Sequence, residues 1–130
     1  MDVTLGPWKT DKSVGEQGKA LAEAMGEEAW KTVEKSTDFT PVKPPKDKPA
    51  NMGFTILGTV ASVVKKPGNV DVTARFNIWV DGSMSNVATF EGKGAAQGSS
   101  TAEDALRAIT ESRIKMALAA IKGGRVVKQG

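Results

Sequence analysis

Apolar and polar residues alternate along three stretches of the chain, residues 54–65, 70–81 and, less regularly, 87–96. Successive side chains of a β-strand point to opposite faces of a sheet, so this alternation predicts three strands that each bury one face. Turn-forming residues at 67–69 and 81–86 separate these stretches, which predicts two consecutive hairpins. Aligning the apolar faces gives a predicted register that pairs Val64 with Val72, Val60 with Phe76, and Ile56 with Val80, around a three-residue loop at Pro67, Gly68 and Asn69.

Two further segments repeat their apolar residues every three or four positions, which is the period of an α-helix. The first begins at Ser13, which can form a capping box with Glu16, and it ends near residue 35. The second runs from about Thr101 to Lys122. The predicted apolar faces consist of Val14, Gly18, Leu21, Ala22, Met25, Ala29 and Val33 in the first helix, and Ala102, Ala105, Leu106, Ile109, Met116, Ala117 and Ala120 in the second.

Short apolar segments at 3–8 and 39–42 predict two more strands, the first of them ended by Gly6-Pro7. The element order is then β-α-β-β-β-β-α. Because both helices and the sheet are apolar on one side only, we predict an α+β two-layer sandwich, with a mostly antiparallel mixed sheet and two helices on one face. The sequence indicates one domain over residues 1–122, an internal Lys/Pro-rich connector at 40–51 and a flexible tail at 123–130.

The composition excludes several kinds of chemistry. The chain of 130 residues contains no Cys and no His, which removes thiol catalysis, disulfides, the common zinc sites and imidazole acid–base catalysis. The paired acids Glu27-Glu28 and Glu103-Asp104 are helix neighbours that diverge by about 100°, so we expect no catalytic dyad. We therefore expect no enzymatic activity, no cofactor, no metal site and, from hydropathy, no membrane span.

The glycine-rich segment 92–98 lies between a predicted strand and a predicted helix, where phosphate-binding loops occur. The following helix opens with Glu103 and Asp104, which would repel phosphate, and no Gly-Lys-Ser/Thr is present. We expect Gly92 and Gly94, with Ala88 and Phe90, on the inward face, where the glycines let a helix pack closely. The net charge of +3 is interspersed along the chain, so we expect no nucleic-acid partner.

One large aromatic residue, Trp79, falls on the polar face of its predicted strand. Arg75 and Asn77 share that face, and Glu91 and Lys93 are expected beside it on the next strand. A tryptophan among polar and charged neighbours is typical of a binding hot spot, although it can also be a cross-strand packing residue that covers Leu57. We predict that Trp79, Arg75, Asn77, Glu91 and Lys93 contact a protein partner.

Two other surfaces are unusually apolar. Trp30 lies among Glu23, Glu27 and Lys19, away from the apolar stripe of its helix, and the proline-rich connector is expected to fold over it. In the last helix, a second apolar stripe flanks Arg113. A helix that is apolar on two sides is either deeply buried or meets a second subunit. This stripe consists of Ile114, Leu118 and Ile121, through which a homo-oligomer is possible.

The element order resembles the small α/β domain of bacterial envelope proteins over about residues 3–122. The matching features are a Gly58-Thr59-Val60 strand, Asp81-Gly82 at a hairpin turn, and Gly92-Lys93-Gly94 before an Ala-rich helix. Such domains occur in curli-secretion lipoproteins, in lipoprotein activators of penicillin-binding proteins and at the N-terminus of the Tol-system propeller protein. The resemblance implies a non-catalytic, periplasmic or outer-membrane-associated interaction module, with any targeting segment removed before Met1.

The segment 13–122 is also similar to a double-stranded-RNA-binding domain, which is the alternative hypothesis. That family grips phosphates with lysines at the start of its last helix. The corresponding place here, residues 99–104, reads Ser-Ser-Thr-Ala-Glu-Asp and holds no lysine.

Overall fold

The computed structural model describes residues 2–44, 53–80, 85–98 and 101–124. Within these residues the elements, in chain order, are β1 (Asp2–Thr10), a 3-10 helix (Lys12–Gln17), α1 (Gly18–Glu34), β2 (Thr40–Val42), β3 (Phe54–Lys66), β4 (Asn69–Val80), β5 (Ser85–Gln97) and α2 (Ala102–Lys122).

The described strands form one mixed sheet in the order β2-β1-β3-β4-β5. β1 runs parallel to both β2 and β3, while β3, β4 and β5 form an antiparallel meander. α1 packs on β1 and β3, and α2 packs on β4 and β5. The predicted α+β sandwich with both helices on one sheet face is therefore confirmed, and so is the strand at the start of the proline-rich connector.

The core lies between this sheet face and the two helices. Phe76 and Ile78 of β4, Met25 of α1 and Leu106 of α2 are all completely buried. Glycines bring the helices close to the sheet: a Cβ at Gly58 would lie 2.5 Å from the Met25 sulfur, and a Cβ at Gly92 would lie 2.5 Å from Cγ2 of Ile109. The expected close approach of α2 to the glycines of β5 is thus confirmed.

The predicted end of β1 at Gly6-Pro7 is wrong. The strand continues to Thr10, and its register against β3 shifts between Leu5 and Trp8. Pro7 is exposed at this irregularity, where a missing backbone N–H leaves no gap in the ladder. Trp8 is thereby placed opposite Gly58.

The predicted capping box of Ser13 and Glu16 is also wrong. Asp11 caps the 3-10 helix instead, and its carboxylate accepts a hydrogen bond of 3.0 Å from the backbone N–H of Ser13. Gly15 has a φ of 79°, which takes the chain out of the helical conformation before α1 begins at Gly18. Ser13 and Glu16 therefore do not share one continuous helical turn.

The predicted register of the first hairpin is wrong. Pro67-Gly68 form a two-residue turn between the paired residues Lys66 and Asn69, which shifts the pairing by one residue, so Val64 pairs with Asp71. A register shift between Val60 and Ser62 adds a second residue, so Val60 pairs with Ala74 and Ile56 with Ile78, and it changes the face of the residues between this shift and the turn. As a result Val64, expected inside, is 47% exposed.

The apolar face predicted for α2 needs one correction. Met116 is 46% exposed, whereas the second stripe is buried within the chain: Ile114 is 0%, Leu118 6% and Ile121 5% exposed. The stripe faces the core and α1, so the hypothesis of a homo-oligomer through these three residues is wrong. Of the two alternatives open for this helix, deep burial is the one observed.

Some predictions fall outside the described residues. These are the proline-rich connector beyond Pro44, the tip of the second hairpin at 81–84 and the tail beyond Gly124.

Candidate protein-interaction surface

The five residues predicted to bind a partner lie together on the sheet face that points away from both helices, which we call the open face. Trp79, Asn77 and Arg75 alternate along β4 with the buried residues of the core. Glu91 lies opposite Arg75 on β5, and Lys93 lies opposite Thr73. The position of each predicted site residue is thus as expected, and its role in binding stays a prediction.

Trp79 is half-buried at one end of this cluster, where it pairs with Thr55 of β3. Next along β4, Asn77 accepts a hydrogen bond of 2.9 Å from the Thr89 hydroxyl. Arg75 Nε and Glu91 Oε2 are 3.9 Å apart, and their side chains are 51% and 47% exposed. An exposed ion pair of this kind contributes about 0.2–1 kcal/mol at most, so a partner could replace it at little cost.

The open face extends beyond the predicted residues onto β1. Thr4 pairs with Thr55, which places the two threonines and Trp79 in one row across three strands. Thr4 is only 4% exposed. Leu57, half-buried, lies opposite Asn77 in the next row. Sequence reasoning missed the β1 contribution because the partner of a parallel strand cannot be identified from local alternation.

Acidic residues converge at one place between the helices, around Arg107 of α2. Its guanidinium lies 3.1 Å from Glu27, 3.7 Å from Glu28 and 3.2 Å from Glu103. The hydrogen bond to Glu27, followed by that to Glu103, raises the pKa of Arg107. Glu27 and Glu28, expected to diverge, therefore reach the same cation, and the cluster joins α1 to α2 as a set of ion pairs.

Three carboxylates with lowered pKa values make local contacts. The pKa of Asp71 is lowered by its hydrogen bond to Lys66, at 2.9 Å across the hairpin turn. The pKa of Asp11 is lowered by the backbone N–H of Ser13, and that of Glu111 by Lys115. Among the described residues no group of three or more His, Cys, Asp or Glu could hold a metal ion.

The segment 92–98 is the end of an edge strand. β5 continues to Gln97. Thr101, the N-cap of α2, forms a capping box in which Thr101 and Asp104 exchange hydrogen bonds of 3.0 and 3.2 Å. The N–H groups at this helix end are thus partly satisfied by the chain itself.

A groove of about 450 Å³ lies on the helix side, between β1 and α1, and we call it the tryptophan groove. Trp8 and Trp30 line it together with Glu23, Glu27 and Pro44. Pro44, the last connector residue described, lines the same groove as Trp30, and the expected cover of Trp30 by the connector stays a prediction. Trp8 was not predicted as a site residue, because its neighbours come from distant parts of the chain.

The fold of this chain is similar to that of several solved bacterial proteins. Solved structures with the same arrangement include a putative lipoprotein from Caulobacter crescentus, 8% identical, with a TM-score of 0.53 over 95% of this chain and 91% of that chain. The resemblance to envelope lipoprotein domains drawn from the sequence is therefore supported by structure, and at this identity the likeness concerns the fold.

Two other solved structures have higher TM-scores. The PelC dodecamer from Paraburkholderia phytofirmans is 12% identical, with a TM-score of 0.62 over 85% of this chain and 81% of that chain. The hypothetical protein CT253 from Chlamydia trachomatis is 9% identical, with a TM-score of 0.61 over 94% of this chain and 96% of that chain. No protein-family model and no curated protein matches the sequence.

Neither helix among the described residues combines the length and the apolar character needed to cross a bilayer.

Proposed function

We propose that this protein is a non-catalytic interaction or structural module of the bacterial cell envelope, and that it binds a protein partner through the open face. The observation that carries the proposal is the position of Trp79, half-buried in a cluster of polar side chains on a sheet face without helices. A periplasmic or outer-membrane-associated location is part of the proposal.

The chemistry of the open face supports protein binding. Tryptophan and arginine are enriched among residues that dominate interface energies, and they act best when surrounded by contacts that exclude water. Trp79 offers a large apolar surface, and Arg75 and Glu91 offer one charge of each sign at 3.9 Å from each other. A partner with complementary charges would exchange this exposed pair for two pairs of its own.

The location is supported by the fold shared with a putative lipoprotein. Cell fractionation of the full-length gene product tests it. We expect the protein in the periplasmic or outer-membrane fraction, and recovery only from the cytoplasm would contradict the proposal.

Site-specific photocrosslinking in the native host tests the contact surface. A photoreactive amino acid at Asn77, on the open face, should give a discrete adduct with another protein. The same probe at Glu16, exposed in the 3-10 helix and outside the strands that form the open face, serves as the matched control. Trp79→Ala should remove the Asn77 adduct. Equal adducts at both positions, or an adduct insensitive to Trp79→Ala, would contradict the role of the open face.

Self-association through another surface is a second candidate, because the structurally similar PelC was solved as a dodecamer. Since Ile114, Leu118 and Ile121 are buried within the chain, such an interface would have to use other residues. Light scattering coupled to size exclusion measures the oligomeric state, and a monomer at all concentrations would exclude this candidate.

We propose no role in RNA binding. The first turn of α2 presents Glu103 and Asp104, and Arg107, one turn further along the helix, is held by three carboxylates. Affinity for duplex RNA requires several phosphate-neutralising cations on one face and falls steeply with salt. A gel-shift assay should show no binding at physiological salt, and micromolar, salt-sensitive binding would favour the RNA-binding alternative.

A further inference from the structure

The tryptophan groove is formed by the edge of α1 and by the irregular part of β1. Glu23, Glu27 and Trp30 are spaced at i, i+4 and i+7, so they lie along one face of α1. Gly6 and Trp8 of β1 form the opposite wall, and Pro44 lies at one end, where its Cγ is 3.3 Å from the position of a Cβ on Gly6.

Trp8 packs closely against two glycines in this wall. A Cβ on Gly26 of α1 would lie 2.6 Å from its Cδ1, and a Cβ on Gly58 of β3 would lie 2.8 Å from its Cε3. The indole therefore fits between two glycine backbones, one from each layer of the fold. An aromatic ring fixed in this way loses little conformational freedom when a ligand packs on it.

The two indoles differ in their polar groups. Nε1 of Trp30 donates to Glu34 at 3.2 Å. For Nε1 of Trp8 the described residues provide no acceptor, and the atom is absent from the buried unpaired polar atoms of these residues. It remains able to donate to a ligand carbonyl.

The helical wall of the groove carries two exposed carboxylates, Glu23 and Glu27, and Lys43 is the cation among its described lining residues. Glu27 is paired with Arg107, whereas Glu23 has no ion-pair partner among the described residues. A cationic side chain at this wall would gain the carboxylate of Glu23 as a partner, which favours binding.

We infer that the tryptophan groove binds a proline-containing basic segment of a partner protein in the polyproline II conformation. Aromatic-lined grooves recognise such segments because their backbone is already ordered and leaves its carbonyls unpaired. Lys43-Pro44 of this chain lines one end of the groove. The charge of the helical wall selects lysine or arginine at the neighbouring positions.

The dimensions agree with a short peptide. From Glu23 to Trp30 the helix rises about 10 Å, which matches roughly three residues of polyproline II, or one full turn. The volume of about 450 Å³ falls within the usual range for ligand sites. This site lies on the helix side of the sheet, so it is independent of the partner proposed for the open face.

Tryptophan fluorescence of the Trp79→Phe variant tests the inference, because this variant keeps only Trp8 and Trp30. A Lys-Pro-Pro-Lys-Pro-Pro peptide should produce a saturable change in emission. Peptides with Glu in place of Lys, or with Gly in place of Pro, should bind at least tenfold more weakly. A peptide that gives no saturable change, or equal affinity for the Glu peptide, would overturn the inference.

Substitutions of two exposed glutamates provide the matched control. Glu23→Lys should weaken binding of the Lys-Pro peptide at least tenfold, whereas Glu16→Lys, with the same change in net charge away from the groove, should leave it unchanged. Equal losses in both variants would show nonspecific electrostatic attraction and overturn the site. Circular dichroism melts verify that both variants stay folded.

A further variant tests whether the groove binds a partner protein or a segment of this chain itself. Serine in place of Pro45, Lys46, Lys48 and Pro49 should leave peptide binding within threefold of that of the parent chain. If the peptide binds only to this serine variant, the groove is occupied by the chain's own connector. If the parent chain dimerises and the serine variant does not, the occupant is a second copy. Either result would overturn the partner assignment.

Discussion

Two tryptophans on opposite faces of the same sheet are used in different ways. Trp8, on the helix side, is fixed by contacts with Gly26 and Gly58, which come from two layers of the fold. Trp79, on the open face, is half-buried among side chains of neighbouring strands only. Both tryptophans are half-buried. The comparison shows that such a side chain contributes to packing between layers only where a second layer contacts it, and otherwise lies on the surface of the sheet.

The largest expected effect comes from the helix side of β4, where Phe76 is completely buried. Phe76→Ala leaves a cavity and should reduce the free energy of unfolding by about 3–5 kcal/mol. Chemical denaturation measures this loss. A loss below about 1 kcal/mol would show that the two faces of β4 are energetically similar, which contradicts the comparison.

The close contact between Trp8 and Gly58 can be disrupted directly. Gly58→Ala places a methyl group 2.5 Å from the Met25 sulfur and 2.8 Å from the Trp8 ring, which should cost about 1–3 kcal/mol of stability through overpacking. The matched control is Gly94→Ala, whose nearest neighbours lie at 3.1 Å, so its loss should be smaller. Equal losses would mean that β-propensity, rather than contact with Trp8 and Met25, sets the effect.

The ion pairs between the helices provide the next largest expected effect. Arg107→Gln leaves Glu27, Glu28 and Glu103 without their shared cation and should cost about 1 kcal/mol at neutral pH and low salt. The difference from the parent protein should shrink in high salt, because salt screens the attraction between exposed charges. A difference insensitive to salt would indicate lost packing by the arginine stem.

Trp79→Ala should have a small effect on folding and a large one on binding. Removal of cross-strand packing should cost at most about 1 kcal/mol, whereas loss of a hot spot should cost about 2 kcal/mol or more of partner affinity. Thermal melts determine the first quantity without knowledge of the partner. A loss of 3 kcal/mol or more, about that of a core tryptophan, would mean that the open face is covered and is not the contact surface.

The smallest effect concerns the hairpin turn, where Lys66 lies 2.9 Å from Asp71. Because this contact lowers the pKa of Asp71 in the folded state, its stabilisation is present above the unfolded pKa and is lost as the pH falls through the folded pKa. Asp71→Asn should therefore lower Tm slightly at pH 7, and the two proteins should converge in acid. A difference that persists at pH 2 would exclude the ion pair as its cause.

The local alternation of apolar and polar residues predicted which face of each strand or helix is buried, but it did not predict which residues of neighbouring strands pair. The inward residues Val72, Ala74, Phe76 and Ile78 were identified because alternation reports burial directly. The pairing of β3 with β4 was wrong, since a register shift near Ala61 and a two-residue turn change the alignment without disturbing the overall alternation. Such irregularities depend on tertiary packing and leave little signal in the sequence.

The same distinction applies to the two candidate sites. The open face could be predicted because Arg75, Asn77 and Trp79 are two residues apart on one strand. The tryptophan groove was missed because it needs Trp8 between Gly26 and Gly58, residues from three elements whose contact follows only from the assembled fold. A glycine within the amphipathic pattern of α1 was the available signal, since glycine there is unfavourable unless something packs closely against it.

The side chain of Arg113 has a consequence for how this protein behaves at high concentration. β5 is the last strand of the sheet, and Arg113 Nε donates to the backbone carbonyl of Glu91 in its middle, at 2.9 Å. Strands at a sheet edge can recruit strands from other molecules and start aggregation, and charged groups placed there disfavour such recruitment. We therefore expect the guanidinium, held beside this edge strand, to disfavour pairing of β5 with a strand of another molecule.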